Sequence, residues 1–185
     1  MKSNPRRNRA GFSLIELMAV ITIIVILAGI VVGGMGFVSD RQAKEKARVQ
    51  IALLSKALEE YKLDNGTYPP TANTTTGLSQ TTNLFKVLYQ EGASDSTKTK
   101  RIYLPELDPT TSKQGWTTGT TSSKILDPWG NEYCYRTATD SKGAANGDTQ
   151  NPDFDLWTMG KNGKTKAAKG DDPRHADNKD DIRNF

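Results

Sequence analysis

Apolar side chains follow three different rhythms along this chain. From Phe12 to Val38 they are almost continuous, 27 residues in which Glu16 is the one charged side chain. Wound as a helix, such a run is about 40 Å long against a hydrocarbon core about 30 Å thick, so it is read as a membrane span. Beyond it the apolar positions thin to a stripe. Ala43, Ala47, Ile51, Leu54, Leu58 and Tyr61 recur at steps of four and three, while Arg41, Lys44, Glu45, Arg48, Ser55, Glu59 and Lys62 occupy the other face. That is the spacing of an amphipathic helix with one covered side. No proline interrupts residues 12–63, so one continuous helix is predicted, its first half in lipid (12–38) and its second half (39–65) packed on a globular domain.

Gly29, Gly33, Gly34 and Gly36 lower helix propensity within the span by roughly 1 kcal/mol each relative to alanine. Two readings stand side by side: close packing against other helices in the membrane, or a segment able to loosen on leaving the bilayer. Asp64-Asn65-Gly66 supplies residues that tolerate positive φ, and Tyr68-Pro69-Pro70 prevents the helix from resuming. A polar loop, Thr71–Asn83, leads to a short helix over Leu84–Gln90. Ala93–Lys124, rich in Ser, Thr, Lys and Gly apart from Ile102-Tyr103-Leu104, is read as loop.

The third rhythm is a two-residue alternation. Asp127-Pro128-Trp129-Gly130-Asn131 is a turn signature, and after it Tyr133 and Tyr135 alternate with Cys134 and Arg136. A second strand is predicted over Asp153–Met159, across the polar loop Thr139–Pro152. The fold class expected is α+β: a long N-terminal helix packed on a small C-terminal domain, residues 66–185, with a short antiparallel sheet.

Glu16 does not fit an ordinary membrane anchor, because a charge in hydrocarbon costs about 2.5 to 3.5 kcal/mol even on insertion scales. A position at the headgroup boundary is the plain explanation. The stretch Gly11-Phe12-Ser13-Leu14-Ile15-Glu16-Leu17, behind a short basic leader, suggests another, since it resembles the class III signal of type IV pilins and type II secretion pseudopilins. The resemblance implies that a membrane aspartyl prepilin peptidase cuts between Gly11 and Phe12, freeing residues 1–11 as a leader, and that the new amine of Phe12 is methylated. It further implies that Glu16 attracts the Phe12 amine of a neighbouring subunit during filament assembly. Such a pair is stronger in hydrocarbon than in water, because Coulomb energy varies inversely with the dielectric constant.

Charge is read differently once a leader is considered. The chain carries 25 Lys and Arg against 21 Asp and Glu, but Lys2, Arg6, Arg7 and Arg9 precede the cut and leave 21 of each sign. No basic stripe remains to suggest nucleic acid. Those four leader cations are matched by Arg41, Lys44, Lys46 and Arg48 beyond the span, so the positive-inside count is a tie. A cytoplasmic N-terminus is expected from the short leader and from the resemblance.

Further stretches narrow the likeness to the major pseudopilin of the type II secretion system: Lys62–Pro69 at the helix exit, Asp127–Asn131, and Phe154-Asp155-Leu156. Cys134, the sole cysteine, excludes an internal disulfide and with it the cysteine-closed loop common in type IV pilins. The Ala93–Lys124 stretch is longer than in the usual major pseudopilin and is expected to be subunit-specific surface. The resemblance implies a non-enzymatic, calcium-stabilised structural subunit. It would be single-pass in the bacterial inner membrane with its C-terminal domain in the periplasm, and would then stack with its own kind into a periplasmic fibre that drives export of folded proteins. Its implied partners are the prepilin peptidase, the inner-membrane assembly platform and minor pseudopilins. A type IV pilin for adhesion, twitching or DNA uptake is the alternative within the superfamily, and a signal-anchored periplasmic binding protein or enzyme the alternative from another class.

Oxygen ligands gather near the C-terminus, and calcium takes six to eight of them from carboxylates, amides, hydroxyls and carbonyls. Gly160-Lys161-Asn162-Gly163 and Asp180–Phe185 resemble the calcium loop of major pseudopilins, which implies Thr158, Asn162, Asp180 and Asp181 as ligands, with Asp171, Asp172 and Asp177 as rivals. A solvated polar tail is the competing reading. His175, the only histidine, has no partner at triad spacing, Cys134 is expected to be a packed side chain, and no phosphate-binding glycine loop precedes a helix.

Overall fold

The computed structural model describes residues 12–71, 81–111, 115–117, 123–139, 143–147, 149–166, 172 and 174–185. Its chain divides into two compact units, residues 1–41 and 42–185. The longest element is α1, Leu14–Asn65, 52 residues of helix that includes all four glycines of the apolar run. It starts where Ser13 offers its carbonyl to the amides of Glu16 and Leu17, at 3.0 and 3.2 Å. It stops at Gly66, whose φ of +80° reverses the chain while its amide still donates to Lys62 O at 2.7 Å. Asn65 caps the same turn from its side chain, donating to Tyr61 O.

Within residues 42–185, α1 turns the predicted stripe inward: Ala47, Ile51, Leu54 and Leu58 are buried and Ala43 and Tyr61 are half-buried. Ala57 and Gln50 join them. The helical segment opposite is longer than the sequence suggests. It runs through α2, Thr81–Phe85, a π-helical turn Lys86–Gln90 and α3, Glu91–Ala93. Leu84, Phe85 and Leu88 enter the core from it.

The Ala93–Lys124 stretch is only partly surface. A 3-10 turn, Pro105–Leu107, and isolated bridges are its regular structure among the described residues, yet Leu104, Leu107 and Trp116 are buried core residues. The stretch is tied inward by backbone bonds from Tyr103 N and Leu104 N to Leu88 O and from Leu126 N to Trp116 O. It also presses on Gly92, where a Cβ would lie 2.7 to 2.8 Å from Ile102 and the Arg101 backbone.

The sheet consists of β1, Cys134–Thr137, and β2, Phe154–Trp157, antiparallel with Cys134 opposite Trp157 and Tyr135 opposite Leu156. Every residue of both strands is buried, so the expected alternation separates two covered faces instead of core from water, and one of them carries the cross-strand pair Arg136 and Asp155. Tyr135, Phe154 and Leu156 face the α1 core. Cys134 and Trp157 pack with Met159 and Phe185 on the other side. The C-terminal tail closes the free edge of β2: Thr158 N donates to Ile182 O, Asn184 N to Leu156 O, and Trp157 bridges Arg183.

One polar contact lies inside the helix–sheet interface. Tyr133, wholly buried, donates its hydroxyl to Gln50 Oε1 at 2.7 Å. Replacing Tyr133 by Phe leaves that buried acceptor unpaired, and urea unfolding of the full chain in detergent is expected to show a stability loss of about 1–3 kcal/mol. An unchanged midpoint would show that Gln50 finds another donor.

Candidate functional site

Two places carry the chemistry. The first is the start of α1, where Phe12 lies just before the helix and Glu16 in its first turn, both with exposed side chains. From Phe12 to Val32 every large apolar side chain is 47–77% exposed. The helix is long and apolar enough to cross a membrane, and none of its most apolar stretch is buried within the protein. Such a surface requires lipid or other apolar helices around it. Gly11 lies outside the described residues.

The second place is the C-terminal loop, and it is not a solvated tail. After β2 the chain makes a tight turn in which buried Thr158 accepts a hydrogen bond from Gly160 N at 2.8 Å. Gly160 has φ +59°, and a Cβ there would come within 2.6 Å of Asp180 Cγ and Asp180 O. Asn162 N donates to Asp180 Oδ2 at 2.8 Å, and Asn162 Nδ2 donates to Asp177 O at 3.2 Å. The structure therefore gathers Thr158, Asn162, Asp177 and Asp180 around one turn.

Asp181 lies alongside with a side chain that is fully buried. Its Oδ2 accepts from the Thr165 hydroxyl at 2.7 Å and from Arg183 Nη2 at 3.0 Å. Among the described residues its Oδ1 is buried with no hydrogen-bond partner. Burial pushes this carboxyl above the usual carboxylate range, against the pull of Thr165 and Arg183. An unpaired buried carboxylate oxygen is costly, and a cation is one way to satisfy it.

Of the rival acids, Asp172 is committed to its own turn. Its carboxylate accepts from Arg174 N, and its carbonyl accepts from His175 N and Asn178 Nδ2. Asp177 faces His175 Nδ1 at 3.5 Å. Asp171 lies outside the described residues. Among the described residues no three His, Cys, Asp or Glu side chains converge as a metal-binding group, so any cation held here relies on hydroxyl, amide and carbonyl oxygens as well as acids. Calcium accepts such a mixed set.

Sequence reading missed the polar side chains that fasten this loop. Buried Asn178 accepts from Lys166 N and donates to Asp172 O. Asn184 accepts from Leu156 N and donates to Phe154 O. Asn131, from the turn before β1, donates to Gly160 O at 2.6 Å. The one signal available was the density of Asn in the tail and the Asp-Pro-Trp-Gly-Asn turn, neither of which names a partner.

Nothing among the described residues forms a nucleophile with its base. Cys134 is buried, and burial first, with the nearby Asp181 and Glu132 carboxylates adding to it, raises its thiol to about 12. A cleft of about 390 Å³ is lined by Tyr61, Asp64, Glu91, Lys100, Arg101 and Tyr103, but its charges pair with one another, Arg101 with Glu60 and Asp64 and Lys100 with Glu91.

Residues 6–32 match the prokaryotic N-terminal methylation motif, and residues 37–101 match the type II secretion system protein G family. Similar proteins named type II secretion system core protein G occur in Pseudomonas aeruginosa, 31% identical over 90% of this chain and 93% of the relative, and in Vibrio cholerae, 31% identical over 85% and 84%. The relative of that name from Aeromonas hydrophila is 33% identical over 69% of this chain and 73% of its own length.

The geometry of the C-terminal turn is itself testable. Gly160→Ala puts a side chain at positive φ against Asp180, and thermal melts are expected to show a loss of about 1–3 kcal/mol. Gly147→Ala, where the φ is ordinary and a Cβ meets nothing within 4 Å, should stay within about 0.5 kcal/mol of the parent.

Proposed function

We propose that this chain, which belongs to the type II secretion system core protein G family and is a structural subunit of that system's pseudopilus, assembles through its N-terminal helix into a periplasmic fibre that drives export of folded proteins. The observation that carries the proposal is the uniform exposure of the large apolar side chains from Leu14 to Val32 on one uninterrupted helix with a carboxylate in its first turn. Such a helix is at home in a bilayer before assembly and among copies of itself afterwards. The methylation motif supports cleavage by a prepilin peptidase after Gly11 and methylation of the Phe12 amine. Glu16 then attracts the Phe12 amine of the next subunit and sets the step between them.

In this reading the subunit is held in the inner membrane by residues 12–38, with residues 66–185 in the periplasm, and it works with the assembly platform and minor pseudopilins. Its role is mechanical and involves no catalysis, consistent with a buried, protonated Cys134 and internally paired cleft charges. Replacing Glu16 by Ala is expected to leave membrane insertion intact and to cut fibre yield at least tenfold on electron micrographs of sheared cells. Normal fibre yield from the variant sinks the assembly role of Glu16.

Calcium is the metal that the C-terminal loop suits. Asp180 and Asp181 would supply carboxylate oxygens, the unpaired Asp181 Oδ1 among them, with Thr158, Asn162 and the neighbouring carbonyls completing an oxygen set and Asp177 as an additional acid. Bound there, the ion would stabilise the folded domain by joining the β2 end to the tail. A ligand that binds only the folded state at about 100 times its dissociation constant adds about 2.7 kcal/mol. Melting the full chain in detergent with calcium and with chelator should separate the two midpoints by several degrees. Coincident melts remove the metal.

A further inference from the structure

We infer that Asn131 is a positioning residue for the calcium loop, holding the Thr158–Gly163 turn in the shape that presents Asp180; this rests on the calcium reading above. In the sequence Asn131 belongs to the Asp127-Pro128-Trp129-Gly130-Asn131 turn, where an asparagine ordinarily serves the turn itself. Here the hydrogen bonds that close the turn use its backbone. Asp127 Oδ1 accepts from Trp129 N at 3.0 Å and from Asn131 N at 2.8 Å, Asp127 N donates to Asn131 O, and Gly130 N donates to Asp127 O. These are contacts that any residue at position 131 would preserve.

The carboxamide points elsewhere. Its Nδ2 donates to Gly160 O, 29 residues further along, at 2.6 Å. Its Oδ1 sits where it would be 3.1 Å from a Cβ on Gly163, a residue whose φ is +64°. One side chain thus spans the turn from Gly160 to Gly163, bonding to one end and crowding the Cβ position at the other. On its opposite side the carboxamide lies against the Asp127 carboxylate and helps to oppose the effect of burial there.

Gly160 is the position pressed against Asp180, and Asn162, between the two glycines, donates its amide to Asp180 Oδ2. Moving the Gly160 carbonyl therefore moves both groups that locate Asp180. No apolar contact substitutes for the grip, because Lys161, Asn162 and Gly163 are exposed. Asn131 is consequently placed to govern cation affinity without being a ligand.

The test uses the full chain in detergent, as the parent, Asn131→Ala and Asn131→Asp, the last keeping the shape but losing the donor. Hydrogen exchange is measured first in chelator. Both variants are expected to exchange the Gly160 and Asn162 amides at least tenfold faster, with the Trp129 and Tyr133 amides unchanged. Calcium titration should then show affinity at least tenfold weaker in both. Unchanged loop exchange overturns the inference, and so does equal acceleration at all four amides, which would mark a general loss of stability. A parent that shows no calcium response removes the metal reading, while the exchange comparison in chelator still decides whether Asn131 holds the loop.

Discussion

The globular unit depends on the burial of one helix face. Its sheet has two strands of four residues each, too few to stand alone in water, and its single cysteine forms no crosslink. What remains is the surface made by Ile51, Leu54, Ala57 and Leu58, on which Leu84, Phe85, Leu88, Tyr133, Tyr135 and Leu156 converge. Burying one large aliphatic side chain stabilises a fold by about 1.5–3 kcal/mol, so the few leucines of this face are comparable with the whole margin that keeps a small domain folded. Every other segment is placed by reaching that face or by bonding to one that does.

The same helix answers to two surroundings. In residues 42–65 polarity is divided by side, and in residues 14–32 it is absent from every side but for Glu16 and the Thr22 hydroxyl. A helix can meet both conditions without a break because its backbone bonds are satisfied internally, in water or in lipid. The side chains alone change. This accounts for glycines that leave α1 continuous.

What could be read from the residues follows from which interactions are periodic. The stripe from Ala47 to Leu58, the stop at Gly66 and the turn at Gly130 were legible because helical spacing and positive φ leave marks on residue type. Trp116 was not, since a lone aromatic among threonines and glycines has no period, and its burial follows from a backbone bond to Leu126. The tail was misleading for a related reason. Asn178 and Asn184 look like solvated residues, yet Asn184 satisfies an amide of β2 and Asn178 an amide of the loop beyond it. Side-chain to backbone bonds of this kind depend on distance in space and carry no spacing in sequence. The hold of Asn131 on Gly160 likewise crosses 29 positions.

The bond between Gln50 and Tyr133 fixes where α1 sits along its own axis. Apolar contacts such as Leu54 against the sheet are nearly indifferent to small displacements along the axis, because one methyl group can replace another. A buried hydroxyl and amide are not interchangeable with methyl groups. Sliding α1 by one turn, about 5.4 Å, would leave both polar groups in an apolar interface with no water to receive them. The pair therefore keys α1 to one register on the sheet, resisting axial slip from inside the interface while the exposed pairs Lys62–Asp153 and Arg101–Glu60 tie the same helix to the domain from outside.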